Sequence, residues 1–133
     1  CVGPYEELKG LEGGQSHHLN QQGAYNDVIP PEKGVSVKVG GNAITDIGSQ
    51  HYEIHNVMEQ FWSQFRRGGP RYGELPTNLE YSEAVRNAAR AAGFSESDVR
   101  MLVIQAIKER IVHGQLGGMP VPRIPRPLNQ VRK

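Results

Sequence analysis

Residues 49–65 read Ser49-Gln50-His51-Tyr52-Glu53-Ile54-His55-Asn56-Val57-Met58-Glu59-Gln60-Phe61-Trp62-Ser63-Gln64-Phe65. Ile54, Met58, Phe61, Trp62 and Phe65 follow one another at steps of 4, 3, 1 and 3 residues, which makes one apolar stripe on a helix. Ser49 is a suitable N-cap, and Gly68-Gly69-Pro70 ends the helix. His51 and His55 lie four residues apart, so both imidazoles leave one helix face, while Ile54 belongs to the core stripe. Just upstream, Val35-Ser36-Val37-Lys38-Val39 alternates apolar and polar side chains, the pattern of a half-buried strand, and Gly40-Gly41-Asn42 breaks it. Strand followed by amphipathic helix sets the class as α+β.

Downstream, residues 70–78 read as a loop. A second, Ala-rich helix is expected from about Leu79 to Ala92, with Gly93 as its stop. Ser95-Glu96-Ser97-Asp98 resembles a capping box and opens a third helix to about His113. Its core stripe is Val99, Leu102, Val103, Ala106, Ile107 and Ile111. After Gly114 the tail is irregular, and Pro120, Pro122, Pro125 and Pro127 favour an extended path. Upstream, residues 1–16 are Gly-rich and expected to be irregular. Residues 17–30 run into Val28-Ile29-Pro30-Pro31, which the prolines make extended, and Glu32-Lys33-Gly34 reads as a turn. The expected architecture is a small β-hairpin, one helix packed on it and a helical C-terminal half. Together these form a single domain, with a core at about 12–67, helices at about 78–114 and a Pro-rich basic tail at 115–133.

The 133 residues suit one domain, and a chain of this length buries about two thirds of its unfolded surface. Cys1 is the single cysteine, which excludes an intramolecular disulfide and any CxxC zinc site. A start at Cys rather than Met is expected of a processed piece of a longer protein, or of a removed tag. No run approaches the roughly 18 apolar residues of a membrane span, and no signal peptide is visible. The net charge of +1 does not mark a nucleic-acid binder, but cations cluster locally at Arg66, Arg67 and Arg71 and again between Arg123 and Lys133.

Four of the five histidines fall in two pairs, His17-His18 and His51/His55. The i, i+4 pair has the spacing with which two imidazoles share one metal. Its ordinary alternative is two exposed histidines near a helix start. Adjacent His17 and His18 point to opposite sides of an extended backbone, so they suit a division of labour in which one completes a metal's coordination and the other activates water. The ordinary alternative there is a solvated loop. Three neutral imidazoles on one divalent ion leave open positions, the mark of a catalytic rather than a structural site. His113 closes the third helix, where a cation suits the dipole, and reads as structural. Trp62 reads as core. Tyr52 and Glu53 could orient an imidazole, with Glu53 facing solvent.

Ser16-His17-His18, Gly48-Ser49-Gln50-His51-Tyr52 and Met58-Glu59-Gln60-Phe61-Trp62, in this order and spacing, resemble the SHH subgroup of bacterial polymorphic-toxin nucleases, within the HNH/endonuclease VII superfamily. Pro76-Thr77-Asn78-Leu79-Glu80-Tyr81 and Pro120-Val121-Pro122-Arg123-Ile124-Pro125 add to the likeness, which covers roughly residues 12–126. The resemblance implies a ββα-metal fold and low-specificity hydrolysis of DNA phosphodiester bonds with one divalent ion (Zn²⁺, Mg²⁺ or Mn²⁺). It also implies an Rhs-type or other polymorphic carrier, a cognate immunity protein, and delivery as a secreted toxin into the cytoplasm of a target bacterium.

Residue by residue, the resemblance makes His17, His51 and His55 metal ligands and His18 the general base. Asn42 is the matching loop-tethering asparagine, with Asn56 and then Asn20 as alternatives. The basic residue that colicin-type DNases carry before the doublet is missing here, since Lys9 is the nearest. The phosphate contact is therefore expected from Arg66, Arg67 or Arg71, whose ordinary alternative is a solvated helix end. Two other readings stay open: a non-enzymatic zinc-stabilised binding module, and a helical partner-binding domain with incidental histidines.

Overall fold

The computed structural model describes residues 2–8, 15–40 and 48–127, and within them the chain is mixed α+β, with a small antiparallel sheet and five α-helices. The strands are β1 (Val2–Pro4), β2 (Gln15–His18) and β3 (Val35–Val39); the helices are α1 (Tyr5–Leu8), α2 (Gln22–Tyr25), α3 (Gln50–Ser63), α4 (Asn78–Ala91) and α5 (Glu96–Val112). The sheet order is β1-β3-β2, so the strand with the alternating valines is central and the histidine doublet lies on an edge strand. His17 pairs with Val37 and His18 with Ser36. Cross-strand partners share a face, so His17 joins the apolar Val37 and Val39 on the helix side while His18 leaves from the other.

Three expectations are corrected. The N-terminal stretch expected to be irregular supplies a strand and a short helix, because Val2, Gly3 and Pro4 pair with Val37, Ser36 and Val35. The two longer strands do not form a tight hairpin. Residues 19–34 connect them through α2 and a 3₁₀ turn at Pro31–Lys33; of the run expected to be extended, Pro30 is, with φ −58° and ψ 126°, whereas Val28 and Ile29 donate back to Tyr25 O in a turn. Ile111 is 51% exposed rather than core. The inward positions of the last turns of α5 are taken by buried Glu109 and Arg110, which displace the apolar stripe.

The remaining helices match their sequence signals. Ser49 Oγ accepts from Tyr52 N at the start of α3. Thr77 and Glu80 form a reciprocal capping box on α4. Ser95 Oγ accepts from Asp98 N on α5. Ile54, Met58 and Trp62 are buried as the periodicity requires, in one core with Tyr81, Val85 and Ala88 of α4 and Leu102 and Val103 of α5, and Phe65 is buried beside Phe61. The tail is tied down by Val121, which is buried and donates from its N–H to Pro76 O at 2.9 Å.

Two features bring the doublet and α3 together. Gly40, at the end of β3, donates to Gln50 Oε1 at 3.0 Å and accepts from His51 N at 3.0 Å, which docks the start of α3 on the sheet. Behind the doublet, residues 19–21 are held by side chains from all three long helices. Tyr81 OH donates to Leu19 O and accepts from Gln21 N, and Trp62 Nε1 donates to Gln21 Oε1 at 2.7 Å. The Asn20 amide donates to Ala106 O and to Glu109 Oε1, and its oxygen accepts from Arg110 Nη1, each at 3.0 Å. Glu109 Oε2 accepts from Val35 N at 2.7 Å, so one buried carboxylate ties the loop after β2 to the start of β3.

Candidate metal centre

His51 and His55 leave one face of α3 and His17 leaves β2, and the three imidazoles converge. One ring nitrogen from each lies within 4.8 Å of the others. The ring centroids are 5.3 Å apart for His17 and His51, 5.0 Å for His17 and His55, and 4.7 Å for His51 and His55. Nε2 of His51 and Nε2 of His55 are 3.1 Å apart. Two nitrogens bound tetrahedrally at about 2.0–2.1 Å stand about 3.4 Å apart, so the α3 pair already has ligand spacing and His17 needs only a small approach.

The protonation chemistry fits a cation. His17 and His51 are buried and His55 is partly buried. Burial holds His17 well below the ordinary 6.5 of an imidazole, and the charges that His55, His51 and His18 would carry add to the effect. Burial holds His55 down to about 4. Both rings are therefore neutral near pH 7, with lone pairs available, as a metal ligand requires.

His18 is separate from this group. Its ring stacks on Tyr5 at 4.6 Å between centroids, and its Nε2 lies 2.8 Å from Pro31 O. A carbonyl can only accept, so Nε2 carries the proton and Nδ1 keeps the lone pair. The amide nitrogen of Gln22 lies 3.3 Å from both Nδ1 and Nε2, which places it over the ring face rather than on the Nδ1 lone pair. A backbone carbonyl thus fixes the tautomer and the ring orientation, an arrangement that leaves one basic nitrogen on a held imidazole. Because β2 is an edge strand, side chains from either of its faces reach one cavity of about 640 Å³, which His17, His18, His51, His55, Gln22 and Glu59 help to line. Ser16 Oγ, on the same wall, is buried and has no hydrogen-bond partner among the described residues.

The other expected site residues are distributed as follows. Asn42 lies outside the described residues. Asn56 is exposed. Asn20 is buried in the clamp behind the doublet rather than in the cavity wall. Arg66 pairs with Glu59 at 2.7 Å and donates to Pro125 O. Arg71 pairs with Glu74 and Glu80 and lies over the Phe65 ring. Arg67 is exposed, and none of the three arginines lines the cavity. His113 follows α5 as its C-cap, as expected, and Trp62 is fully buried.

Sequence reasoning missed Pro31 O, Gln22 and the cations of the tail, Arg123 and Arg126, which do line the cavity. Only the run of cations after Arg123 signalled the last two. No protein-family model, curated protein or solved structure matches the chain.

Proposed function

We propose that the protein is a metal-dependent endonuclease of the ββα-metal type that hydrolyses DNA phosphodiester bonds. One observation carries this reading: the convergence of His17, His51 and His55 on one point, with the orientation-locked His18 on the same cavity. His17, His51 and His55 would hold the ion, and an all-imidazole set suits zinc or another transition metal, with Mg²⁺ and Mn²⁺ as the alternatives. When bound, a divalent cation polarises a phosphoryl oxygen and stabilises the departing oxygen.

The chain's own groups supply the proton transfer. His18 Nδ1 takes a proton from the attacking water, and the Nε2–H bond to Pro31 O keeps that nitrogen aimed and stabilises the imidazolium that forms. Three ligands among the described residues, beside an open cavity, favour this reading over a zinc-stabilised binding module. Together with the sequence resemblance, it makes the domain an antibacterial toxin tip, delivered by a larger carrier and restrained by an immunity protein.

The test is plasmid nicking with Mg²⁺, Mn²⁺ or Zn²⁺, with and without chelator, alongside metal content by elemental analysis. His18→Ala is expected to keep one equivalent of metal and lose cleavage. His51→Ala or His55→Ala is expected to lose both. Full nicking by either helix variant refutes the assignment, and loss of metal and of fold in His18→Ala moves the protein to the structural-zinc reading.

A further inference from the structure

The cavity has one wall made by residues 123–126, a segment in neither helix nor strand. It is moored rather than loose. Arg66 donates to Pro125 O from Nε at 3.1 Å and from Nη2 at 2.8 Å, while Glu59 holds the other side of the guanidinium. On the far side the segment presses on Gly23 of α2, where a Cβ would stand 2.6 Å from Pro125 Cβ. Only glycine lets the strap lie this close. The arginine expected to meet phosphate is thus the mooring of a second basic element.

That element brings Arg123 and Arg126 to the cavity wall. Arg123 pairs with Asp27, but both side chains are about half exposed, at 49% and 51%, so the pair is weakly held and exchangeable. Arg126 is exposed and makes no hydrogen bond or ion pair among the described residues. It lines the same cavity as His17, His51 and His55.

We propose that residues 123–126 form a phosphate rail: Arg126, seconded by Arg123, grips a phosphate adjoining the one presented to the histidines. The ligand class is then an extended phosphodiester strand with at least two phosphates, rather than a mononucleotide. A guanidinium suits this task because its planar fork meets a phosphate with two parallel, charge-assisted hydrogen bonds. DNA and RNA share that backbone, so the rail acts on either. This inference rests on the nuclease reading.

The test is equilibrium binding in chelator, so that nothing is cleaved. Fluorescence anisotropy of a labelled single-stranded oligonucleotide, in one DNA and one RNA arm, is followed across a salt series. Arg126→Ala is expected to weaken binding roughly tenfold, as loss of one charge-assisted contact does. It is also expected to flatten the plot of log affinity against log salt by about 0.7, the loss of one phosphate contact on a single strand. Gly23→Ala, which pushes Pro125 away without removing a charge, is expected to weaken binding in the same direction. Zinc affinity is expected to be unchanged in both variants, and Arg100→Ala, an exposed cation on α5, is expected to leave the salt slope at the wild-type value.

The rail is overturned if Arg126→Ala keeps wild-type affinity and slope in both arms, if Arg100→Ala loses as much as Arg126→Ala, or if a mononucleotide binds the wild type as tightly as the oligonucleotide. Wild-type protein that binds zinc but neither oligonucleotide at low salt overturns the nuclease reading itself. Normal wild-type binding with an indifferent Arg126 overturns the rail alone.

Discussion

Acidifying the metal-free protein from pH 7 to pH 5 should destabilise it steeply, because two of its histidines are buried in their neutral form. An unfolded chain protonates each imidazole near 6.5, whereas the folded chain holds His55 down to about 4 and His17 well below 6.5. For a group whose folded pKa is depressed, the unfolded state binds more protons between the two values, so the stability present above 6.5 is lost as the pH falls. His55 alone should lose about 2 kcal/mol by pH 5, from RT times the logarithm of the ratio of the two binding polynomials, and His17 adds a loss of the same sign. A loss of about 2 kcal/mol or more is a substantial part of the 5–15 kcal/mol that typically holds a domain together.

The carboxylates do not confuse this window. Glu80 and Glu96 are held below 4.5 by their arginine partners Arg71 and Arg90, so their contribution is lost only as the pH falls below that value. The assay is urea denaturation in chelator at pH 7, 6 and 5, for the wild type and for His55→Leu, which removes one titrating ring. The variant should show a smaller pH dependence than the wild type, by about the 2 kcal/mol of His55. A His55→Leu protein that loses stability between pH 7 and 5 as steeply as the wild type would refute the claim that burial holds this ring neutral. Added zinc should stabilise most at pH 7 and progressively less on acidification, because protons and the ion compete for the same lone pairs.

Two substitutions test the supports of the doublet. Gly34→Ala puts a Cβ 2.7 Å from His18 Cδ2, at a residue whose φ of −59° any amino acid adopts, so its effect is purely steric. It should reduce plasmid nicking roughly 10- to 100-fold by displacing the base, with zinc affinity unchanged, and a wild-type nicking rate would rule out His18 as that base. Glu109→Gln sets an amide donor against either Asn20 Nδ2 or Val35 N, and it removes the charge that faces buried Arg110 across the Asn20 amide. Chemical denaturation should show a loss of about 1.5–3 kcal/mol, and a loss near zero would mean that the clamp is not under load.

The sequence made the local signals readable and left the long-range ones hidden, for definite reasons. The period of α3, the alternation of β3 and the caps at Ser49 and Ser95 each depend on neighbours within a few residues. The i, i+4 spacing of His51 and His55 belongs to this class, and so does the opposed aim of His17 and His18 on one strand. The orientation of His18 does not, since its partner is a backbone carbonyl at Pro31, and a carbonyl leaves no mark in a residue pattern. The roles of the arginines were equally invisible. Arg66 and Arg126 look alike in the chain, and what separates them is that Glu59 and Pro125 O surround the first while the second projects from the strap that the first secures. Ile111 was misplaced because a stripe rule assigns every apolar residue at the right phase to the core and cannot foresee that Glu109 and Arg110 hold the inward positions.

That last substitution of charge for hydrocarbon explains why a site built on β2 and α3 comes with a helical half. His17 reaches His51 and His55 only if the edge strand holds its distance from α3, and an edge strand has backbone partners on one side only. The missing constraint is supplied from behind. Asn20, Gln21 and Leu19, the residues that follow the doublet, are bonded to Glu109 and Arg110 of α5, Trp62 of α3 and Tyr81 of α4. Burying Glu109 and Arg110 costs desolvation that Ile or Leu would not incur. What apolar residues could not provide is direction: a carboxylate that bonds both Asn20 and Val35 N sets the spacing between the end of β2 and the start of β3. The α4–α5 half thus acts as the brace that keeps His17 at ligand distance and His18 against its carbonyl.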